Sequence, residues 1–309
     1  MMIRKYDILS VGELLIDFIS EDYMDDFSKP TSFRLFQGGS PANMCLNMHL
    51  LGNRTKFVGS IGNDAMGKFL AQKINTYGIN CDDLAIINNM PSTLILVTRS
   101  KTTPDFEAYR MADCQISMAQ LAEAKNVRIF HTTCFALSQN PAQMNIMTAA
   151  KIATENGVQL SIDANYAQKI WSDNAEAQYI IQRYCSYGAI VKVSDVDWTR
   201  LYPDKPFEKV AVAEHFLNLG ATEVCVTMGE NGSYVANKNE NYMIGILPIK
   251  VVDTTGAGDA FWSGYLTAWL DGKSLKERAL AGRKMASIKL QHLGQMTEEI
   301  DRAVLYEKE

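Results

Sequence analysis

Residues 127–163, VRIFHTTCFALSQNPAQMNIMTAAKIATENGVQLSID, hold an apolar run, a polar-apolar stretch at helical period, and a second apolar run. Two such runs joined by a helix-length segment predict parallel strands with a crossover helix between them. The same alternation continues in both directions along the chain. Strands are expected at 5–11, 55–61, 127–133, 158–163, 189–193, 223–228 and 246–252, and helices near 40–51, 64–77, 141–156, 174–186, 206–219, 257–270 and 275–292. The strands are nearly continuous apolar runs, as a sheet covered on both faces requires. The expected fold is therefore α/β, a doubly wound and mostly parallel sheet with helices on both faces.

Two stretches break the alternation, 12–36 and 91–112, both rich in Thr, Phe, Tyr, Arg and charges. STLILVTRSKTTPDFEAYR (92–110) reads as two extended runs around a Lys-Thr-Thr-Pro-Asp turn. Together the two stretches are expected to form a small β layer beside the main sheet, a lid on a single α/β domain spanning 1–309. No fixed-period repeat and no long polar linker divides the chain.

The composition excludes several classes. The 309 residues are 47% hydrophobic and 21% charged, outside the range of disordered chains. With 30 basic and 35 acidic side chains the formal net charge is −5 and the pI is near 5.5, so no basic field exists for nucleic acid or an anionic membrane. An anionic ligand must be held by a local site. Asp7, Glu13 and Asp17 interrupt the N-terminal stretch, which lacks the apolar core of a signal peptide, and no 18-residue apolar run occurs. Six cysteines without a CxxC read as reduced core thiols, and a cytoplasmic location is expected. Four scattered histidines have no zinc-binding spacing.

Three glycine-rich turns resemble anion sites. Gly62 to Phe69 matches GxxxxGK, but Phe69 stands where a P-loop needs a hydroxyl, and Asp64 would lie inside the phosphate cradle. It reads instead as a tight turn with Asp64 near a helix N-terminus. Asp253-Thr-Thr-Gly256-Ala257-Gly258-Asp259 also precedes a helix; Phe261 replaces the third glycine of a dinucleotide fingerprint, and no acidic residue follows at the spacing that takes a ribose. Backbone N–H groups at such a helix start attract an anion. A carboxylate beside it repels that anion unless a hydroxyl lies between them, giving its proton to Asp259 while attacking a phosphoryl group. In the third turn, Gln37-Gly38-Gly39-Ser40-Pro41-Ala42-Asn43, Ser40 is expected to be the N-cap and Pro41 the first helical residue, with Gly52 past the helix end. Gly38, Gly39 and the side chain of Asn43 suit the approach of a small polyhydroxylated ligand.

GGSPANMCLNMHLLG with VGSIGNDAMG, and DTTGAGDAFWSGYL, resemble the N- and C-terminal signatures of the ribokinase-like (PfkB) carbohydrate kinases, and the resemblance spans essentially the whole chain. It implies an ATP- and Mg2+-dependent sugar kinase. By resemblance Asp259 is the catalytic base, Gly256, Ala257 and Gly258 form the anion hole for the γ-phosphoryl group, and Asp17, Gly38, Gly39 and Asn43 bind sugar hydroxyls. Arg110 matches a lid residue that reaches sugar or phosphate. Thr227, Gly229 and Gly232 resemble the loop that holds the nucleotide, and Asp253 and Thr255 match positions of a monovalent-cation (K+) site. The β layer would close over the sugar and exclude water. Lids of this family often pair, so a homodimer is expected.

The chain departs from the family in three places. Ser194 and Asp197 replace the usual NxxE pattern, and Asp197 would reach Mg2+ through water; Gln168 replaces an arginine; the last helix lacks the asparagine often found near adenine. The SPAN and GELLIDF stretches look most like the fructokinase branch, which makes fructose the first acceptor. Ribose, 2-keto-3-deoxygluconate and nucleosides stay open, since discrimination falls to Arg34, Phe36, Phe106 and Arg110. A phosphosugar calls for a denser basic cluster than this pocket offers. A catalytically silent sugar- or nucleotide-binding regulator and a dinucleotide-dependent enzyme are the alternatives of other classes.

Overall fold

The computed structural model describes residues 4–29, 31–100 and 105–307; residues 101–104, most of the expected Lys-Thr-Thr-Pro-Asp turn, lie outside them. In chain order the strands are β1 Tyr6–Val11, β2 Leu15–Tyr23, β3 Phe33–Gly38, β4 Thr55–Gly62, β5 Asn80–Ile87, β6 Leu94–Arg99, β7 Phe106–Tyr109, β8 Val127–Thr133, β9 Gln159–Asp163, β10 Ile190–Ser194, β11 Glu223–Thr227, β12 Ser233–Asn237 and β13 Asn241–Ile244. The α-helices are α1 Ser40–Leu50, α2 Ala65–Thr76, α3 Ala142–Glu155, α4 Asn174–Ser186, α5 Asp195–Leu201, α6 Lys209–Asn218, α7 Ala257–Leu270 and α8 Leu275–Leu290.

Nine strands form the main sheet in the order β13-β12-β11-β10-β9-β8-β1-β4-β5, parallel except where the β12–β13 hairpin adds antiparallel strands beside β11. The order turns back between β1 and β8, placing β1 centrally, and ligands of such sheets bind outside the carboxyl ends of the strands. Asp163, Ser194 and Thr227 close β9, β10 and β11 at that edge. Helix α7 packs against α8 and α1, and 10 of its 14 residues are buried. Its Trp262 indole donates to Ser161 Oγ of β9 at 2.9 Å, which fixes the helix against the sheet. β2, β3, β6 and β7 make a second, four-stranded sheet in the order β3-β2-β6-β7, all from the two irregular stretches.

Three sequence expectations need correction. Residues 246–252 are not a strand: Ile246, Val251 and Val252 are each more than half exposed, Pro248 lacks an N–H, and the sheet edge belongs to the β12–β13 hairpin. The helix expected at 206–219 begins at Lys209, with the Glu208 carboxylate accepting from Ala211 N as its cap. The third is one of omission: strands β5, β12 and β13 and the short helix α5 are absent from the expected elements. Asp64 does cap α2, accepting from Gly67 N and from both Ser92 N and Oγ. Among the described residues no helix is long and apolar enough to cross a membrane.

Candidate active site

Helix α7 starts after Gly256, whose φ of 73° is left-handed, and carries Asp259 in its first turn. Asp259 Oδ1 accepts from Ser40 Oγ at 2.6 Å, and Oδ2 accepts from Asn43 Nδ2 at 3.1 Å. The N-termini of α1 and α7 thus meet at one carboxylate, where both helix dipoles favour negative charge. Burial nevertheless pushes the Asp259 carboxyl up to about 6; the Ser40 hydroxyl opposes the rise, Asp163 adds to it, and Lys192 and Asn43 oppose it. Ser40 is not the N-cap. Gly39 holds that position, its carbonyl oxygen accepting from Asn43 N at 2.9 Å, and as glycine it has no side chain to cap with; Ser40 is the first helical residue and its hydroxyl goes to Asp259. Asn43 lies between the two groups, its Oδ1 accepting from Gln295 Nε2 at 3.0 Å.

The diglycine has a steric cause. A Cβ on Gly38 would lie 2.1 Å from Asp17 Oδ2, and one on Gly39, at φ 107°, would lie 2.2 Å from the Glu13 carbonyl oxygen. The pair lets β3 pass under Asp17 on β2 and turn at once into α1. Burial, and then the charge of Asp259, push the Asp17 carboxyl up to about 7.

Between the second sheet and the carboxyl edge of the main sheet is a cavity of about 230 Å3. Asp17, Gly39 and Ser40 line it, as do Phe106 of the second sheet and four residues that sequence reasoning missed, Glu13, Phe135, Asn165 and Arg200. Glu13 accepts from the Thr133 hydroxyl at 2.9 Å, and burial pushes its carboxyl up to about 8. Its signal was present in GELLIDF, where a charge interrupts an apolar run. Asn165 has a left-handed φ of 25°, uncommon outside glycine. Arg110 does not line the cavity. Its guanidinium donates to Asp113, to the Phe135 carbonyl and to Ser138, and stacks 4.0 Å from the Phe135 ring centroid, behind the wall.

Lys192 was also missed, hidden as one charge in the apolar run of β10. Its Nζ donates to Asp163 Oδ2 at 2.7 Å, and a Cβ on Gly258 would lie 3.3 Å from that Nζ. One ammonium therefore sits against the turn that precedes Asp259 and serves Asp163, Asp197 and Asp259 together. Asp197 accepts from Ser194 N and Oγ and from Tyr166 N, and forms a capping box for α5. No group of three or more His, Cys, Asp or Glu side chains among the described residues is arranged to hold a metal. Mg2+ keeps most of its waters and binds mainly through phosphates; both Asp197 oxygens already accept from the internal donors just named.

Asp253 and Thr255 do not fit an added monovalent cation. The buried Lys289 ammonium donates to Asp253 Oδ2 at 3.3 Å, Gly294 N to the same oxygen at 3.0 Å, and Thr255 N to Oδ1 at 2.9 Å. The carboxylate already has its positive partner. Thr227 pairs with Ser194 at the carboxyl edge, and Gly229 and Gly232 form the left-handed turn into β12. That turn adjoins the edge that carries Asp197.

Arranged in this way, a buried carboxylate, a helix-start turn with a lysine against it, and a cavity walled by carboxylate, amide and aromatic side chains suit transfer of a phosphoryl group to an alcohol. Over 96% of this chain and 91% of the relative, the sequence is 35% identical to an ATP-dependent 6-phosphofructokinase of Thermoanaerobacterium thermosaccharolyticum. It is 31% identical to fructokinase-2 of Solanum habrochaites over 87% of this chain and 83% of the relative. The solved structure of Halothermothrix orenii fructokinase superposes with a TM-score of 0.78 at 29% identity, covering 94% of this chain and all of that one. The family model for pfkB family carbohydrate kinases matches residues 5–301, which joins the two glycine-rich turns and the sheet between them in one pattern, and the chain belongs to that family.

Proposed function

We propose that the protein transfers the γ-phosphoryl group of ATP to a primary hydroxyl of a small ketose, with fructose as the acceptor. The observation that carries this reading is that Asp17 and Ser40 stand on the wall of one cavity, with Asp259 held behind Ser40 by a 2.6 Å hydrogen bond and near enough to Asp17 for its charge to raise that carboxyl. Asp17 accepts a sugar hydroxyl while the reacting hydroxyl lies against Asp259. The acceptor O–H gives its proton to Asp259 as its oxygen bonds to the γ-phosphorus, and the bond from phosphorus to the bridging oxygen breaks to release ADP. The Gly258 N–H and the Lys192 ammonium against it face the developing charge, while the Ala257 N–H donates to the Thr254 carbonyl oxygen at 3.2 Å. Mg2+ bound to the nucleotide neutralises charge on the phosphate oxygens. The second sheet, whose Phe106 forms part of the wall, acts as a lid that excludes water.

Arg200 favours a second acceptor. An exposed guanidinium on the cavity wall suits bidentate binding of phosphate, so fructose 6-phosphate is the alternative. Acceptor-dependent ADP release, measured with fructose, fructose 6-phosphate, ribose, 2-keto-3-deoxygluconate, tagatose and adenosine, tests both. Turnover of fructose that is lost in Asp259→Asn supports the first reading. Turnover of fructose 6-phosphate alone, with KM raised by Arg200→Ala, supports the second. Silence across the panel with sugar binding intact would replace both by a regulator.

A further inference from the structure

We propose that Ser40 is a positioning residue for Asp259: its hydroxyl orients the carboxylate toward the acceptor and keeps it ionised. This rests on the reading of Asp259 as the base. The sequence context asks Ser40 to cap α1, yet its hydroxyl makes no cap bond and reaches across to another helix, 219 residues away in the chain, at 2.6 Å. Ser40 stands one place inside the Gly39 cap, so its hydroxyl has no capping duty and its bond to Asp259 is purely tertiary. Ser40 also lines the cavity, so the residue that holds Asp259 borders the space an acceptor would enter.

The geometry separates the duties of the two donors. Ser40 holds Oδ1 and Asn43 holds Oδ2, so the carboxylate plane is set by two bonds from one helix, and rotation about its terminal torsion breaks both. The free lone pairs then point in one direction only. The charged groups around Asp259 come from three other elements: Asp17 on β2, Asp163 on β9 and Lys192 on β10. Two of these three are acidic, so the donors on α1 are needed to keep the carboxylate in its ionised form near neutrality. A charge-assisted bond from a hydroxyl favours that form, and the Ser40 bond opposes the effect of burial.

The test compares wild type with Ser40→Ala and Ser40→Thr, recording kcat and kcat/KM from pH 5 to 9 with fructose, or with fructose 6-phosphate if only that is turned over. The alanine variant loses no cap but one hydrogen bond to a buried carboxylate, so it should fold, and unfold about 2–4 °C below wild type. Its acid limb should move to higher pH by about one unit, so that the loss of kcat/KM relative to wild type is about tenfold greater at pH 5.5 than at pH 8.5. Ser40→Thr, which keeps the hydroxyl, should return the limb to its wild-type position. An unmoved limb in Ser40→Ala, or a threonine variant indistinguishable from alanine, would overturn the proposal. The infrared carboxyl band lost in Asp259→Asn, titrated in Ser40→Ala, gives the same answer without turnover. Full activity in Asp259→Asn would instead overturn the base itself; inactivity there with an unmoved Ser40→Ala limb overturns only the role of Ser40.

Discussion

Lys192 and Asp163 are register partners on adjacent parallel strands, and their side chains meet at 2.7 Å with exposures of 7% and 4%. Removing one member leaves the other as an uncompensated buried charge. Lys192→Met should therefore cost about 3–5 kcal/mol of stability, and Lys192→Met with Asp163→Asn should recover a large part of it. Chemical denaturation of the two variants checks this; a double variant no more stable than the single one would contradict the pairing. In any folded fraction the loss of the ammonium against Gly258 should lower kcat more than it raises KM.

Activity should fall on the acid side through a limb near pH 6, where Asp259 sits. The sign follows from its role: a base must be unprotonated, so kcat/KM drops about tenfold per pH unit below that value. Asp17, held near 7 by burial and then by the charge of Asp259, is mostly protonated at that limb, so Asp17→Asn should raise the sugar KM and leave the limb in place. A limb that moves would show the two carboxylates titrating as a pair.

Gly38→Ala tests the sugar side alone. Its Cβ would lie 2.1 Å from Asp17 Oδ2, so the carboxylate must swing away. Sugar KM should rise at least about tenfold, the loss of one charge-assisted hydrogen bond, while the KM for ATP stays unchanged. Equal effects on both substrates would mean that the strain spreads into α1.

His131 is fully buried, with Nδ1 paired to Ser161 Oγ at 2.9 Å, and burial, aided by the charge of Lys192, lowers its value to about 3. The unfolded chain takes up a proton near pH 6.5 that the folded protein refuses, so stability falls as pH drops from 6.5 toward 3, by about 1.4 kcal/mol per unit. Glu13, Asp17 and Asp259, all raised in the folded state, act with the opposite sign. The readout is therefore the difference between wild type and His131→Leu, measured by denaturation at pH 7.5, 6 and 4.5. Parallel pH curves would show that His131 is charged in the folded protein.

The parallel strands and their helices were legible because periodicity reports burial directly. ILPIKVV misled for the same reason: apolarity marks a strand only where a sheet has room for one, and the β12–β13 hairpin holds that edge. Within the site, Asp259 and the diglycine stood out because their chemistry conflicts with a plain helix start. Lys192, Asp163 and Glu13 did not, since each is a single charge in an apolar run whose partner comes from a distant strand or turn. Asp64 was read correctly because its cap is local, three residues from its donor. Ser40 was misread because Gly39, one place earlier, holds the cap position and the acceptor of its hydroxyl lies on another helix.

One residue, Gly39, joins β3 of the second sheet to α1, and the next residue is Ser40. No slack exists between them. A rotation of that sheet away from the cavity would turn about Gly39 and pull on Ser40 and its bond to Asp259. Enclosure of the cavity and the setting of that carboxylate would then be linked through a single peptide unit.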